Sequence, residues 1–148
     1  MNEILIRPMK IEDIGQVMVV ERASFVTPWS ETAFEEEIKN DLACYLSLVD
    51  NELVVGYAGM WIIIDEAHIT NIALLPEFRG KGLGEKLLTV LMAEAKAHGA
   101  KSMTLEVRAT NTIAQQLYTK LGFVCYGVRR QYYTDTKEDA LIMWLDEL

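Results

Sequence analysis

The stretch that most restricts the fold of this chain is "NIALLPEFRGKGLGEKLLTVLMAEAKAHG", residues 71–99. It opens on strand-like apolar residues and stops at Pro76, which has no N–H to give a sheet. It closes on a helix whose Leu83, Leu87, Leu88, Leu91, Met92 and Ala95 recur along one stripe. Gly99 stands where a C-capping glycine belongs. Between the two lie Arg79, Gly80, Lys81, Gly82, Leu83 and Gly84. A helix with one apolar stripe, beside a strand, needs a sheet to pack on.

The other segments supply that sheet. "EILIR" is a short strand, and from Ile11 apolar residues recur at Ile14, Val17, Met18 and Val20 with helical spacing. Ser30 is an N-cap for a second helix, with Glu31 in its first turn. Residues 43–65 predict a hairpin turning at Asn51 and Glu52. After the Gly-rich unit come the strand "KSMTLEVR", a helix over "NTIAQQLYTKLG" and two final strands. The order β-α-α-β-β-β-α-β-α-β-β predicts an α/β fold, a mixed, mostly antiparallel sheet with helices on both faces. The 148 residues make one ordinary domain, 1–148, with no linker or repeat.

Charge and special residues exclude several classes. The formal charge of −8 disfavours direct nucleic-acid binding and suits a basic partner, although an acidic surface also simply keeps a protein soluble. The longest apolar run, residues 53–64, is too short to span a bilayer, and "MNEILIRPMK" lacks the pattern of a signal peptide. A cytoplasmic protein without membrane contact is expected. Cys44 and Cys125 sit among apolar neighbours and read as small core residues. His68 and His98 have no metal-ligand spacing and read as structural or surface residues, so no metal is expected. Leu148 follows the last strand closely, so no tail is expected to add contacts.

The Gly-rich turn points to an anion. Three glycines in five residues let the backbone approach a ligand, and free N–H groups at a helix start attract phosphate. The turn lacks the Lys-Ser/Thr of a Walker A loop, and its Gly-x-Gly-x-Gly is not the dinucleotide fingerprint.

"RGKGLG" is similar to the Arg/Gln-x-x-Gly-x-Gly/Ala signature of the GNAT superfamily of N-acetyltransferases. Together with "LEVRATN", "LYTKLGF", "RRQYYTDTKEDALIM" and "FVTPWSETAF", it resembles the RimI family. Those segments run from Phe25 to Met143, nearly the whole chain. The resemblance implies the GNAT acyltransferase fold and transfer of acetyl from acetyl-CoA to the N-terminal alanine of a small-subunit ribosomal protein. It implies that Arg79, Gly80, Lys81, Gly82, Leu83, Gly84 and Glu85 hold the pyrophosphate, with Glu85 giving its backbone N–H. It implies that the backbone of Ile72, Ala73 and Leu74 runs beside the pantetheine arm. Asn111 would touch acetyl-CoA as well as cap its helix.

Two residues are expected to move protons. Transfer needs a neutral amine, a polarised thioester and a protonated leaving thiolate. An α-amine, with a pKa near 7.7–8.0, is roughly a tenth or more neutral near pH 7, so a carboxylate suffices as base. Glu106 lies at the middle of a strand, on the face that also carries Thr104 and Arg108. Read from its residues alone, it is either a base or an ion-pair partner of Arg108; the resemblance implies the base. Tyr118 lies on the inward stripe Ala114, Leu117, Tyr118, Leu121, and the resemblance implies that it protonates the leaving thiolate. The resemblance also implies that Trp29, Tyr132, Tyr133, Glu138 and Asp139, beside Pro28, bind a basic N-terminal peptide. Other protein N-termini or a small amine are rival acceptors, and a non-catalytic CoA-binding module is the rival class. Docking on tRNA-modification proteins is compatible with catalysis.

Overall fold

The computed structural model describes residues 3–148. The strands are β1 (Ile4–Pro8), β2 (Ala43–Asp50), β3 (Leu53–Ile63), β4 (Glu66–Leu74), β5 (Ser102–Arg108), β6 (Val124–Arg129) and β7 (Ala140–Leu145). The helices are α1 (Ile14–Ser24), α2 (Glu31–Ile38), α3 (Leu83–Ala97) and α4 (Thr112–Lys120). Among the described residues the strands form one seven-stranded sheet in the order β1-β2-β3-β4-β5-β7-β6. Every neighbouring pair is antiparallel except β4 and β5. A parallel step needs a crossover, and α3 supplies it.

Local chemistry explains the element boundaries. Ser30 Oγ accepts the N–H of Ala33 at 3.1 Å, and Asn111 Oδ1 accepts that of Ala114 at 3.1 Å, so each satisfies a helix-end donor. Asn51 and Glu52 both adopt positive φ, 48° and 70°, as a tight hairpin turn requires.

Each face of the sheet carries its own core. Val17, Val20, Phe34, Tyr45 and Tyr57 pack under α1 and α2. Leu87, Leu88 and Leu91 of α3 pack with Leu48, Met60, Met103 and Leu105 on the other face. Those three leucines are fully buried, each worth about 1.5–3 kcal/mol of apolar transfer. Gly59 is a packing requirement: a Cβ there would lie 2.1 Å from the Tyr45 ring.

Two irregularities shape the middle of the sheet. Gly59 pairs with Asn71 but the next residue, Met60, pairs with Ile69, so Thr70 is an extra residue bulging from β4. The β4–β5 pairing covers only Glu66↔Ser102, Ala67↔Met103 and His68↔Thr104. Both strands continue beyond it, to Leu74 and Arg108, and they part to leave a wedge.

Candidate active site

The wedge opens into a cavity of about 620 Å³. Ile69, Thr70, Asn71 and Ile72 of β4 line one side, and Leu105, Glu106, Val107 and Arg108 of β5 the other. The α1–α2 connection contributes Phe25, Thr27 and Trp29; α4 and its cap contribute Asn111, Ala114 and Tyr118. Glu106 and Tyr118, twelve residues apart in sequence, thus share one space.

Glu106 has a partner that sequence reasoning missed. His68 Nε2 lies 2.6 Å from Glu106 Oε2, with side-chain exposures of 39% and 15%. The hydrogen bond holds the Glu106 carboxyl below its usual range, against the opposing effect of burial. The same bond raises the His68 pKa, again against burial. The contact therefore favours the ionised carboxylate and the protonated imidazole over their neutral forms. Arg108, the alternative partner considered for Glu106, is engaged elsewhere.

Tyr118 is buried, its ring 5.7 Å from that of Phe123. Burial pushes its phenol pKa up, so the hydroxyl keeps its proton throughout the neutral range. The hydroxyl therefore stays available as a proton donor to an anion formed beside it, with burial making it a weaker acid than a free phenol.

The Gly-rich turn has the geometry of an anion cradle. Gly80 and Gly82 adopt φ of 75° and 79°, and open space lies where a Cβ would stand at each. Among the described residues no side chain caps the start of α3, leaving its first N–H groups for a ligand. Arg79 folds back, donating from Nε to Leu74 O at 3.0 Å and from Nη2 to Ser24 Oγ at 3.2 Å. Lys81 lies over the Phe78 ring at 5.4 Å. The Glu85 carboxylate is taken by Lys120 Nζ at 2.9 Å, which offsets its repulsion of an anion. Leu83 is buried and anchors the helix start.

On β4, Ile72, Ala73 and Leu74 pair with Ala58, Tyr57 and Gly56 on one side. Their other side faces the wedge, where β5 no longer pairs. A turn with the geometry of an anion cradle at one end and an unpaired strand edge along the middle fit a long, thin, phosphorylated ligand such as acetyl-CoA.

The expected acceptor residues divide into two groups. Trp29, Tyr132 and Tyr133 line the cavity, with the two tyrosine rings edge-to-face at 5.1 Å. Trp29 is fixed through its backbone N–H, which donates to Glu21 Oε2 at 2.8 Å, while Tyr57 Oη donates to Glu21 Oε1. Glu138 and Asp139 lie outside the cavity lining. Glu138 accepts from Arg108, Thr110 and Thr136, and Asp139 accepts the N–H of Gln131 at 2.9 Å. Pro28 is exposed.

Glu21 is the other residue missed. It is 1% exposed, and a buried carboxylate beneath the α1–α2 connection left only one trace in the sequence, an acid on an otherwise apolar helical stripe.

The cysteines and remaining histidine separate further. Cys44 is half-buried, its thiol raised to about 11 by burial. Cys125 corrects the expectation of a core residue: it is exposed, on the edge strand β6. His98 is exposed and its Nδ1 lies 2.8 Å from Glu94 O at the end of α3. No cluster of potential metal ligands occurs among the described residues.

Comparison with known proteins gives a consistent result. The profile of the acetyltransferase (GNAT) family matches residues 14–123. A protein of Bacillus subtilis (strain 168), provisionally named a ribosomal protein bS18-alanine N-acetyltransferase, is 45% identical over 95% of this chain and 93% of its own. The ribosomal protein bS18-alanine N-acetyltransferase of Escherichia coli (strain K12) is 35% identical over 95% of each chain. The crystal structure of the ribosomal-protein-S18-alanine N-acetyltransferase from Escherichia coli superposes with a TM-score of 0.89 at 34% identity, covering 100% of this chain and 96% of that one.

Proposed function

The chain belongs to the acetyltransferase (GNAT) family, and from that premise we propose that it acetylates the N-terminal alanine of a small-subunit ribosomal protein, using acetyl-CoA. The observation that carries the chemistry is the meeting of Glu106, held by His68, and Tyr118 in one cavity at the β4–β5 wedge. The relatives' names carry the choice of acceptor. Residues 1–148 act as one domain in this reading, working in the cytoplasm on newly made ribosomal protein.

Acetyl-CoA supplies the activated acetyl group. The Gly80–Gly84 turn and the first N–H groups of α3 hold its pyrophosphate, and Ile72, Ala73 and Leu74 run beside its arm. Asn111 adds a polar contact from the head of α4.

The acceptor enters against Trp29, Tyr132 and Tyr133. Glu106 takes the amine proton at its carboxylate, directly or through a water. His68 orients that carboxylate and keeps it ionised, which makes it a weak base. Weakness is tolerable for an α-amine, already roughly a tenth or more neutral near pH 7, and inadequate for lysine at roughly 0.04%. The pair thus favours N-termini over side-chain amines. Tyr118 holds a proton at Oη for the departing sulfur.

Mass spectrometry on an Ala-starting peptide of the ribosomal protein, incubated with protein and acetyl-CoA, tests this. One acetyl group on the α-amine is expected, with none on the N-blocked peptide. Transfer to a polyamine but not to the peptide would overturn the acceptor assignment.

A further inference from the structure

The connection between β6 and β7, residues 130–139, carries Tyr132 and Tyr133 to the cavity without a helix or strand of its own. Its place is set largely by one side chain from a different strand. Arg108 Nη1 donates to Asp135 Oδ1 at 3.2 Å, Thr136 Oγ1 at 3.0 Å and Glu138 Oε2 at 3.0 Å. Its Nη2 donates to Asp135 Oδ2 at 2.9 Å, completing a forked contact. The guanidinium carbon stands 4.0 Å from the centre of the Tyr133 ring.

We propose that Arg108 is a positioning residue for the acceptor, holding Tyr132 and Tyr133 in place as a wall of the cavity. This rests on the function proposed above. Both terminal nitrogens of Arg108 are committed to the connection, so it acts through the tyrosines rather than by gripping the acceptor. One planar cation satisfies two carboxylates and a hydroxyl and stacks on an aromatic face, a combination a lysine ammonium cannot reproduce.

The arrangement has a consequence for recognition. Asp135 and Glu138 are both paired with the same guanidinium, which offsets one of their two negative charges. A basic acceptor therefore meets two aromatic rings beside a tethered carboxylate pair that keeps one unit of negative charge. The acceptor class that fits is a peptide N-terminus whose first residues pack against the two tyrosines, with the residual negative charge of the cluster favouring a basic one.

The test uses the full chain, with R108K, R108Q and the connection-side variant D135N. R108K is expected to raise the KM for the Ala-starting peptide about tenfold, with kcat and CoA affinity held within about twofold. D135N should move KM the same way by less, because Glu138 still tethers the guanidinium. Trypsin should cut after Arg129, Arg130 or Lys137 faster in R108K than in the wild type. Unchanged KM in R108K and D135N overturns the proposal, as does a loss of CoA affinity in step with KM. Absence of transfer in the wild type would refute the acceptor assignment instead. The tether would then be judged by trypsin: equal cutting of wild type and R108K overturns it.

Discussion

His68 and Glu106 meet at 2.6 Å where the pairing of β4 and β5 ends, so a single contact closes the narrow end of the wedge and fixes the carboxylate that opens onto it. One strand contributes the imidazole and its neighbour the acid, and the contact spans 38 residues of sequence.

Removing the charge of that acid should stop the reaction without emptying the site. Glu106→Gln is expected to lower kcat by about 10²–10⁴, the usual worth of a general base, with CoA affinity unchanged. Steady-state rates and calorimetric CoA titration check this; a kcat within threefold of wild type would remove Glu106 as the base.

The pair also makes stability depend on pH. His68, raised above its ordinary 6.5, contributes fully below pH 6.5, and that contribution is lost as pH rises through its raised value. Glu106, held below its ordinary 4.5, contributes fully above pH 4.5 and loses it as pH falls through its lowered value. The stability difference between wild type and His68→Gln should therefore be greatest between pH 4.5 and 6.5 and shrink on both sides. Urea denaturation of both proteins across the range would show a flat difference if the pairing were absent in solution.

Tyr118→Phe keeps the ring that packs against Phe123 and deletes only the hydroxyl. The fold should persist, with a melting temperature close to wild type, while kcat drops about a hundredfold. A large loss of stability together with unaltered turnover per folded molecule would mark Tyr118 as a packing residue.

Backbone conformation governs the turn proposed to hold phosphate. Gly82 holds φ at 79°, where an L side chain costs about 1–2 kcal/mol. Gly82→Ala is expected to weaken CoA binding about tenfold or more while leaving the acceptor KM nearly unchanged. CoA affinity equal to wild type would place the pyrophosphate elsewhere.

The sequence made local features legible and hid the joins between distant ones. Ser30, Asn111 and Gly99 read as helix ends because a cap is decided within four residues, and the structure puts helix ends at all three. The stripe of α3 was readable for the same reason. Glu106 and Tyr118 stood out through motifs, yet neither motif could name His68, because the register of two parallel strands is not a local property. Arg108 was a natural suitor for Glu106 by proximity on one strand face. It pairs instead with Asp135 and Glu138, brought back by the β6–β7 connection. Cys125 misled for a simpler reason: apolar neighbours signal burial only where something covers them, and β6 is an edge strand whose residues are largely exposed.

The short β4–β5 ladder leaves the protein with a sheet edge in its own interior. Sheet margins on a protein's outside invite stray chains to pair with them, and most folds blunt them with charge or curvature. Here the α1–α2 connection, α4 and the β6–β7 connection crowd the opening from three sides. Pairing is offered inward, toward the cavity that these three segments enclose, and away from chains outside.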